Sequence, residues 1–372
     1  MGSLYTESAL YEDTMLPDIV RLAHNHVRPQ SDDLYVIGIT GTNGKTTVAH
    51  LIGEALKSAG CNPFVLGTLN SGNRDLSTPE LADTLELMRA HKANSGTHFV
   101  MEVTSEGIDQ ARVSGIHFDI KLLTNITQDH LDYHKTIKRY RDTKIGFMNE
   151  GPGYKIFPTQ YKKEQIGFAT ELLGQFNHHN IQAAACVLRH MGISEDFIQN
   201  SLSSCPPPKG RLESVALGQP FLVLVDYAHT ADGLDNVLRT VKQVATERHG
   251  RLLVLFGCGG DRDRGKRPHM GRIASSMADV LVITDDNPRS ESSSKITSEI
   301  SDGIIRPEFE YSVIHDRKTA IEYIISRSGP HDVVILIGKG HETYQIVKDE
   351  VFHFDDVEVA KTAIQDLKSE VA

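Results

Sequence analysis

The sequence predicts an α/β protein built from two successive parallel-rich sheets, and three observations predict it. A short apolar run, Leu34–Ile39, leads into a glycine-rich turn and then into a helical pattern. Further strand-like runs recur along the chain with amphipathic segments between them, as in parallel sheets covered on both faces. The triplet Pro206-Pro207-Pro208 interrupts this alternation once, which marks a hinge between two domains.

The elements follow in order. Residues 1–33 are polar and read as a short N-terminal helical extension, helical around Leu16 to His26. Leu34–Ile39 is rich in β-branched residues and reads as a buried strand. Val48, Leu51, Ile52, Ala55 and Leu56 then fall at helical spacing, with Gly60 just beyond them. Thr97–Met101 reads as a strand ending at Glu102, and Ile120–Thr124 as a strand ending at Asn125. Residues 151–170 read as a loop or a short β insertion, and Asn180–His190 as a helix. Beyond the proline triplet, strand-like runs lie at 221–226, 251–256, 280–284, 309–314 and 332–337. The expected domains are therefore 34–208, central, and 209–372, C-terminal.

Composition narrows the class. The formal net charge of −10 disfavours a general nucleic-acid binder, which needs a basic face. It does not disfavour nucleotide binding, for which a few aimed N–H groups, one lysine and Mg²⁺ suffice. No apolar stretch approaches the roughly 20 residues of a membrane span, and the first 30 residues do not read as a signal peptide. Cys61, Cys186, Cys205 and Cys258 are widely spaced without a CxxC pair, so a reducing, cytoplasmic setting is expected rather than a disulfide framework or zinc site.

The turn after the first strand carries the chemistry. It reads Gly41-Thr42-Asn43-Gly44-Lys45-Thr46-Thr47. A loop between a buried strand and a helix N-terminus presents N–H groups and the positive end of the helix dipole to phosphate. Lys45 is expected to reach the β- and γ-phosphates, and the Thr46 hydroxyl to hold Mg²⁺. A usual Walker A spacing would place glycine at position 39, where this chain has Ile39. At the ends of two further strands stand Glu102 and the segment Thr124-Asn125-Ile126-Thr127-Gln128-Asp129-His130-Leu131-Asp132. Taken singly, Glu102 and His130 read as surface or capping residues. Beside a phosphate loop they can serve Mg²⁺, which prefers oxygen ligands and retains water.

The loop, the Glu102-x-x-Ser105 segment and the Thr-Asn-x-x-x-Asp-His-Leu-Asp segment together resemble the Mur ligase superfamily, which includes the folylpolyglutamate synthetases. The resemblance implies a P-loop ATPase domain with a parallel-rich sheet, followed by a Rossmann-like C-terminal α/β domain. It implies ATP and two Mg²⁺ ions, one on Glu102 and one on His130. It matches Lys144 to a family lysine that becomes carbamylated and helps hold the second ion; from periodicity alone Lys144 reads as an exposed helix residue. It places Asn180 at the adenine, Arg211 at the γ-phosphate, and Asp226 and His229 in a ribose- and phosphate-side motif. His229 stands as a proton acceptor or a phosphate contact.

Three later segments resemble the MurE branch, which adds the third residue of the peptidoglycan stem peptide. They are Gly257–Pro268, Asp286-Asn287-Pro288-Arg289 and Gly338–Gln345. In that branch the Asp-Asn-Pro-Arg form goes with meso-diaminopimelate. An amino-acid carboxylate suits a bidentate arginine, so Arg289 is the expected contact with Arg262 as a second. Glu342 and the Gly338 carbonyl are expected to hold a distal ammonium, with Asp286 and Asn287 beside them. Ser77-Thr78-Pro79 resembles the acceptor-binding segment, so Thr78, Ser105 and Arg112 are the expected contacts of the carboxylate substrate.

The implied activity is ATP-dependent formation of an amide through an acyl phosphate. The partners are a small amino acid and a carboxylate, with no nucleic acid and no membrane insertion. The chain departs from the family pattern in its 33 residues before the first strand, in the short segment between Lys144 and Gly174, and in Glu106, where histidine is frequent. The first departure leads us to expect a carboxylate without a UDP handle, or a protein partner or second copy that supplies the grip. Two rival readings are a glutamate ligase of the folylpolyglutamate type and a non-catalytic nucleotide-binding regulator. Asp286–Arg289 and Gly338–Glu342 argue against the first. Retention of Lys45, Glu102, His130 and Lys144 argues against the second.

Overall fold

Strand β1 (Tyr35–Thr40) is apolar or β-branched at nearly every position and is buried from Val36 onward. Such a run is stable only inside a sheet covered on both faces. A computed structural model describes residues 34–70, 76–163, 166–305, 309 and 311–371. The helical extension expected over residues 1–33 lies outside these residues. The described chain divides into two compact units: 34–126, 133–170 and 179–205 in the first, and 127–132, 171–178 and 206–371 in the second.

The first unit holds β1 with β2 (Pro63–Leu66), β3 (His98–Val103), β4 (Ile120–Leu123) and β5 (Tyr154–Ile156), all parallel, in the order β2-β3-β1-β4-β5. The chain leaves β1 toward β2 on one side and reaches β4 on the other. The strand ends next to β1 thus flank a crevice of the kind where α/β sheets take ligands. Glu102 lies within β3, paired with Ile39, rather than past its end. The helix Lys45–Ser58 buries Val48, Leu51, Ile52, Ala55 and Leu56, the residues whose spacing announced it. The 151–170 stretch supplies the edge strand β5 and a short helix, Pro158–Tyr161.

The second unit holds β6 (Glu213–Ser214), β7 (Leu222–Asp226), β8 (Leu252–Phe256), β9 (Val280–Ile283), β10 (Tyr311–Val313) and β11 (Val333–Ile337) in the order β10-β9-β8-β11-β7-β6. Only β6 runs antiparallel. Strand pleating sends alternate residues to opposite faces. Leu252, Val254 and Phe256 join one core with Val333, Ile335 and Ile337. Leu253 and Leu255 join the other with Val334 and Leu336. The first core is closed by the helices Ala231–Glu247, Lys266–Met277 and Ser293–Ser301, the second by Arg317–Ser326 and Asp356–Val371. A hairpin of β12 (Tyr344–Val347) and β13 (Glu350–His353) follows β11.

One buried ion pair fastens this unit. Arg317 donates to both Asp356 carboxylate oxygens at 2.7 Å, to the Ile337 carbonyl at 3.1 Å and to the Asp285 carbonyl at 3.2 Å. Neither side chain reaches solvent. The pair joins two helix starts to the ends of β9 and β11. Removing one member strands a charge, at a cost of about 3–5 kcal/mol. Asp356→Ala is expected to lower unfolding free energy by that order in urea titrations, and an Arg317→Met/Asp356→Leu double variant is expected to recover part of the loss.

Candidate functional site

The turn between β1 and the helix Lys45–Ser58 is shaped by what surrounds it. Gly41 and Gly44 have φ of +146° and +88°, and a Cβ at Gly41 would lie 1.9 Å from Thr124 Oγ1. The loop backbone is held from the end of β4. Thr42 N donates to the Asn125 carbonyl at 2.9 Å, and Asn43 N to Asn125 Oδ1 at 2.9 Å. Asn125 Nδ2 and Thr124 Oγ1 both donate to the Asn43 carbonyl, at 3.0 and 2.7 Å. The Lys45 ammonium folds over the loop and donates to the Gly41 and Thr42 carbonyls at 2.9 Å each. Thr46 and Thr47 are buried in the first turn of the helix.

Glu102 faces this helix start. Its Oε1 accepts from Thr46 Oγ1 at 3.0 Å and from Thr68 N at 2.8 Å. Gly67 leaves room for it, since a Cβ there would sit 2.2 Å from that oxygen. Thr78 Oγ1 donates to the Glu102 carbonyl at 3.0 Å and accepts from Thr104 N at 2.9 Å. Arg112 donates to the Thr78 carbonyl at 3.1 Å and pairs with Glu80 at 3.0 Å, while Ser105 donates to Glu106 at 3.0 Å. Thr78, Ser105 and Arg112 thus surround the end of β3, with Thr78 and Arg112 directly linked.

Lys144 corrects the exposed position that periodicity assigned to it. It is 1% exposed, donates to the Gly41 carbonyl at 3.1 Å and lies 4.8 Å from the centre of the Tyr140 ring. The Tyr140 hydroxyl shares a 2.9 Å hydrogen bond with Thr42 Oγ1. Asn180, buried on the helix Gln175–His190, occupies the space beside Gly44, where a Cβ would meet its Oδ1 at 2.3 Å. The loop residues, Glu102, Lys144 and Asn180 are thus brought together in the first unit.

His130 falls in the second unit, at φ +52° and 3.3 Å from Asp129. Burial opposes charge on Asp129, but the imidazoles of His130 and His229 prevail and hold its carboxyl below the ordinary value. His229 is exposed; its Nδ1 lies 3.1 Å from the Tyr227 carbonyl, and its own carbonyl accepts from Lys266 at 2.7 Å. Among the described residues no three His, Cys, Asp or Glu side chains group as a metal site. A Mg²⁺ held by one carboxylate, one hydroxyl, nucleotide and water needs no such group.

The ends of β7, β9 and β11 carry the other candidates. Both Asp226 oxygens accept backbone amides, from Leu212 and Ala228 at 2.8 Å each. Asp226 therefore anchors the turn that carries Arg211, whose guanidinium lies 4.7 Å from the centre of the Tyr227 ring. Burial raises the Asp226 carboxyl above its ordinary value, with Arg211 and the two amides opposing. Asn287 Nδ2 donates to Glu342 at 2.9 Å, and its Oδ1 accepts from Ile346 N at 2.9 Å. Gly338, at φ +119°, packs against Asp286; a Cβ there would lie 2.7 Å from Asp286 Oδ2. Arg289, at φ +51°, donates to the Gly260 carbonyl at 2.9 Å, and Arg262 is exposed. Sequence reasoning passed over Lys339, which is fully buried and donates to Asn287 Oδ1 at 3.2 Å and Glu342 Oε2 at 3.3 Å. Burial and Asp286 raise the Glu342 carboxyl, and Lys339 and Asn287 oppose them. A lysine between two glycines directly after a strand was the available signal.

Residues 39–158 match the model of the Mur ligase middle domain, and residues 210–340 that of the Mur ligase glutamate ligase domain. The UDP-N-acetylmuramoyl-L-alanyl-D-glutamate–2,6-diaminopimelate ligase of Geobacillus thermodenitrificans is 39% identical over 90% of this chain and 79% of its own. The ligase of the same name from Syntrophomonas wolfei is 35% identical over 91% and 80%. A solved structure of a ligase of that name aligns at 28% identity and TM-score 0.58, covering 90% of this chain and 79% of that one. The fold also matches E. coli FolC, solved with DHPP and ADP, at 15% identity and TM-score 0.68, over 95% and 93% of the two chains.

The Thr78 hydroxyl serves two backbone groups of one strand end. Thr78→Val leaves both without it, at about 1–3 kcal/mol each if they stay buried. A lower midpoint is expected in thermal unfolding, with Thr78→Ser retaining most of the stability.

Proposed function

The chain belongs to the Mur ligase family of ATP-dependent ligases that form a carbon–nitrogen bond, and on that premise we propose that it joins a diamino acid of the 2,6-diaminopimelate type to a carboxylate through an acyl phosphate. One observation carries the reading. The Thr46 hydroxyl, the Glu102 carboxylate and the Lys144 ammonium all meet the single short loop Gly41–Thr47. Hard oxygen donors beside a helix N-terminus suit Mg²⁺ and a triphosphate together.

The chemistry has two steps. A substrate carboxylate oxygen attacks the γ-phosphorus, the bond to the β–γ bridging oxygen breaks, and ADP departs from an acyl phosphate. The amine nitrogen then attacks the acyl carbon, phosphate leaves, and a proton is lost from nitrogen. Lys45 offsets charge developing on the phosphoryl oxygens, and the loop glycines let the backbone approach them. Thr46 and Glu102 are the Mg²⁺ ligands in this reading, with His130 assigned to a second ion. When bound, Mg²⁺ neutralises phosphate charge. Lys144 is assigned the carbamate: its amine takes up carbon dioxide and releases a proton, becoming an anionic oxygen donor. Burial against Tyr140 supports that assignment, because it shelters the amine from water. Arg211 keeps the γ-phosphate role and Asn180 the adenine role that their motifs imply, and Asp226 supports Arg211. His229 is exposed, as either of its two roles requires.

The amino-acid reading rests on Arg289 and Glu342, a cation and an anion on strand ends of one unit. Thr78, Ser105 and Arg112 are assigned to the carboxylate substrate. Among the described residues no helix is long and apolar enough to cross a membrane.

ADP release should depend on one amine and one carboxylate together. With UDP-N-acetylmuramoyl-L-alanyl-D-glutamate offered as carboxylate, diaminopimelate, lysine and glutamate form the amine panel, and mass spectrometry reads the product. Diaminopimelate is expected to support the fastest turnover; a glutamate adduct as sole product would move the chain to the folylpolyglutamate reading. Lys45→Ala is expected to cut turnover at least a hundredfold, on the scale of one lost charge-stabilising donor, about 10²–10³. Arg289→Ala is expected to raise the amino-acid KM while leaving that for ATP nearly unchanged; equal shifts in both would remove Arg289 from the amino-acid site.

A further inference from the structure

Arg289 does not stand on its own loop alone. Its guanidinium rests on the backbone of the segment that precedes Arg262, donating to the Gly260 carbonyl at 2.9 Å. Contact there is too close for side chains. A Cβ on Gly259 would lie 2.9 Å from Arg289 Nη1, and one on Gly260 would lie 1.9 Å from the Pro288 carbonyl oxygen. Gly260 N donates to the Asn287 carbonyl at 2.9 Å, and Ser290 donates through N and Oγ to Asp261 at 3.1 and 2.7 Å. These contacts tie the two loops together, and a residue with no role so far grips both.

That residue is Arg267, second in the helix Lys266–Met277 and 0% exposed. Its Nη1 donates to Glu291 Oε2 at 2.9 Å and to Glu299 Oε2 at 2.6 Å. Its Nη2 donates to Glu291 Oε1 at 2.8 Å and to the Gly259 carbonyl at 3.1 Å. Glu291 comes two residues after Arg289 and also accepts from Asp261 N at 2.6 Å. One planar guanidinium thus grips the 259–262 loop by a carbonyl and the 287–291 loop by a carboxylate. Burying a guanidinium is costly unless it is paired, and here both terminal nitrogens are matched, by two carboxylates and a carbonyl, while Nε has no partner among the described residues. The Arg267 hydrogen bonds hold the Glu291 carboxyl down at about 2, so this grip persists through the neutral range. An ion pair that served stability alone would need only Glu299, on the neighbouring helix Ser293–Ser301. The bonds to Glu291 and Gly259 reach the loops instead.

We propose that Arg267 is a positioning residue for the incoming amino acid: it holds the 259–262 and 287–291 loops at the one separation that seats Arg289 for a bidentate carboxylate contact. The inference rests on the reading of Arg289 given above. A lysine cannot replace the fork, because a point charge does not fix two loops at once.

The test is a mutant cycle on the full chain with diaminopimelate as the amine. Arg267→Lys, Arg267→Met, Glu291→Gln and Arg289→Ala are made singly, and Arg267→Met and Glu291→Gln are each combined with Arg289→Ala. KM for the amino acid, KM for ATP, kcat and the thermal midpoint are read for each. Misplacement of a binding group by an ångström costs up to about a hundredfold, so Arg267→Met and Glu291→Gln are expected to raise the amino-acid KM about tenfold or more. The ATP KM is expected to stay within about twofold, since ATP makes no use of Arg289. Arg267→Lys is expected to fall between, and neither change is expected to add to Arg289→Ala. Should Arg267→Met fail to fold, Glu291→Gln decides, because Glu291 is partly exposed. An unchanged amino-acid KM in folded Glu291→Gln would overturn the proposal, as would effects that multiply with Arg289→Ala. An unchanged amino-acid KM in Arg289→Ala itself would overturn the underlying reading and the proposal with it.

Discussion

The geometry of the first unit follows from one constraint, the space left between the end of β1 and its neighbours. Thr124 Oγ1 and Asn180 Oδ1 lie where side chains on Gly41 and Gly44 would have to go. Only glycine satisfies both positions, in backbone conformations that other residues seldom adopt. Once the turn is that tight, the helix Lys45–Ser58 begins immediately, and its first residues carry the ammonium and hydroxyl that the proposed chemistry uses. Asn125 then holds the turn through its carbonyl and both ends of its side-chain amide. The loop's shape is therefore set by contacts of its own, and a loop so held loses less freedom on binding.

The second unit meets a different constraint, the burial of charge at strand ends. Arg267, Arg317 and Lys339 are all fully buried or nearly so. Arg267 and Arg317 are matched by carboxylates from other segments, Glu291 with Glu299 and Asp356, and Lys339 by Glu342 three residues on in its own. Such pairs give little net stability over apolar packing, but they tolerate only one arrangement of partners. For Arg267 and Lys339 that arrangement fixes loops; for Arg317 it ties two helix starts to strand ends. The sheet needs no such help, since its cores are continuous on both faces.

How much of this was legible depended on whether a residue's role was local. The strand–loop–helix unit was legible because every signal lies in one continuous stretch from Leu34 to Leu56: an apolar run, glycines, a lysine and a helical stripe. The runs at 221–226, 251–256 and 332–337 were legible because a central parallel strand is apolar on both faces. The hairpin β12–β13 was not, because its turn, Lys348-Asp349, carries neither glycine nor asparagine, and Lys348 adopts φ +55° regardless. Lys144 read as exposed because helical spacing says which face a residue is on and nothing about what covers that face. Tyr140, one turn earlier on the same helix, and the Gly41 carbonyl cover it, and the approach of the Gly41 loop is not predictable from the helix itself. Arg267 was quoted only as part of a segment, since its partners lie 24 and 32 residues away. The residues that contact ligand in the proposed reading were easier to find than those that position them, because motif chemistry is local and support is not.

Charge arithmetic at the end of β11 shows what that support implies for selectivity. Asp286 and Glu342 bring two carboxylates close enough that Asp286 raises the Glu342 carboxyl, and Lys339 supplies one ammonium against them. The formal sum over these three groups is about one negative charge, inside a shell that is largely buried. Arg289 presents a positive charge on the adjoining loop. In the proposed reading a ligand with a carboxylate at one end and a second ammonium at the other would complement both, its ammonium relieving the repulsion between Asp286 and Glu342. Glutamate offers a second carboxylate at that position instead and would add to the repulsion. In the proposed reading Lys339 leaves one formal negative charge over the three groups for a ligand ammonium to meet.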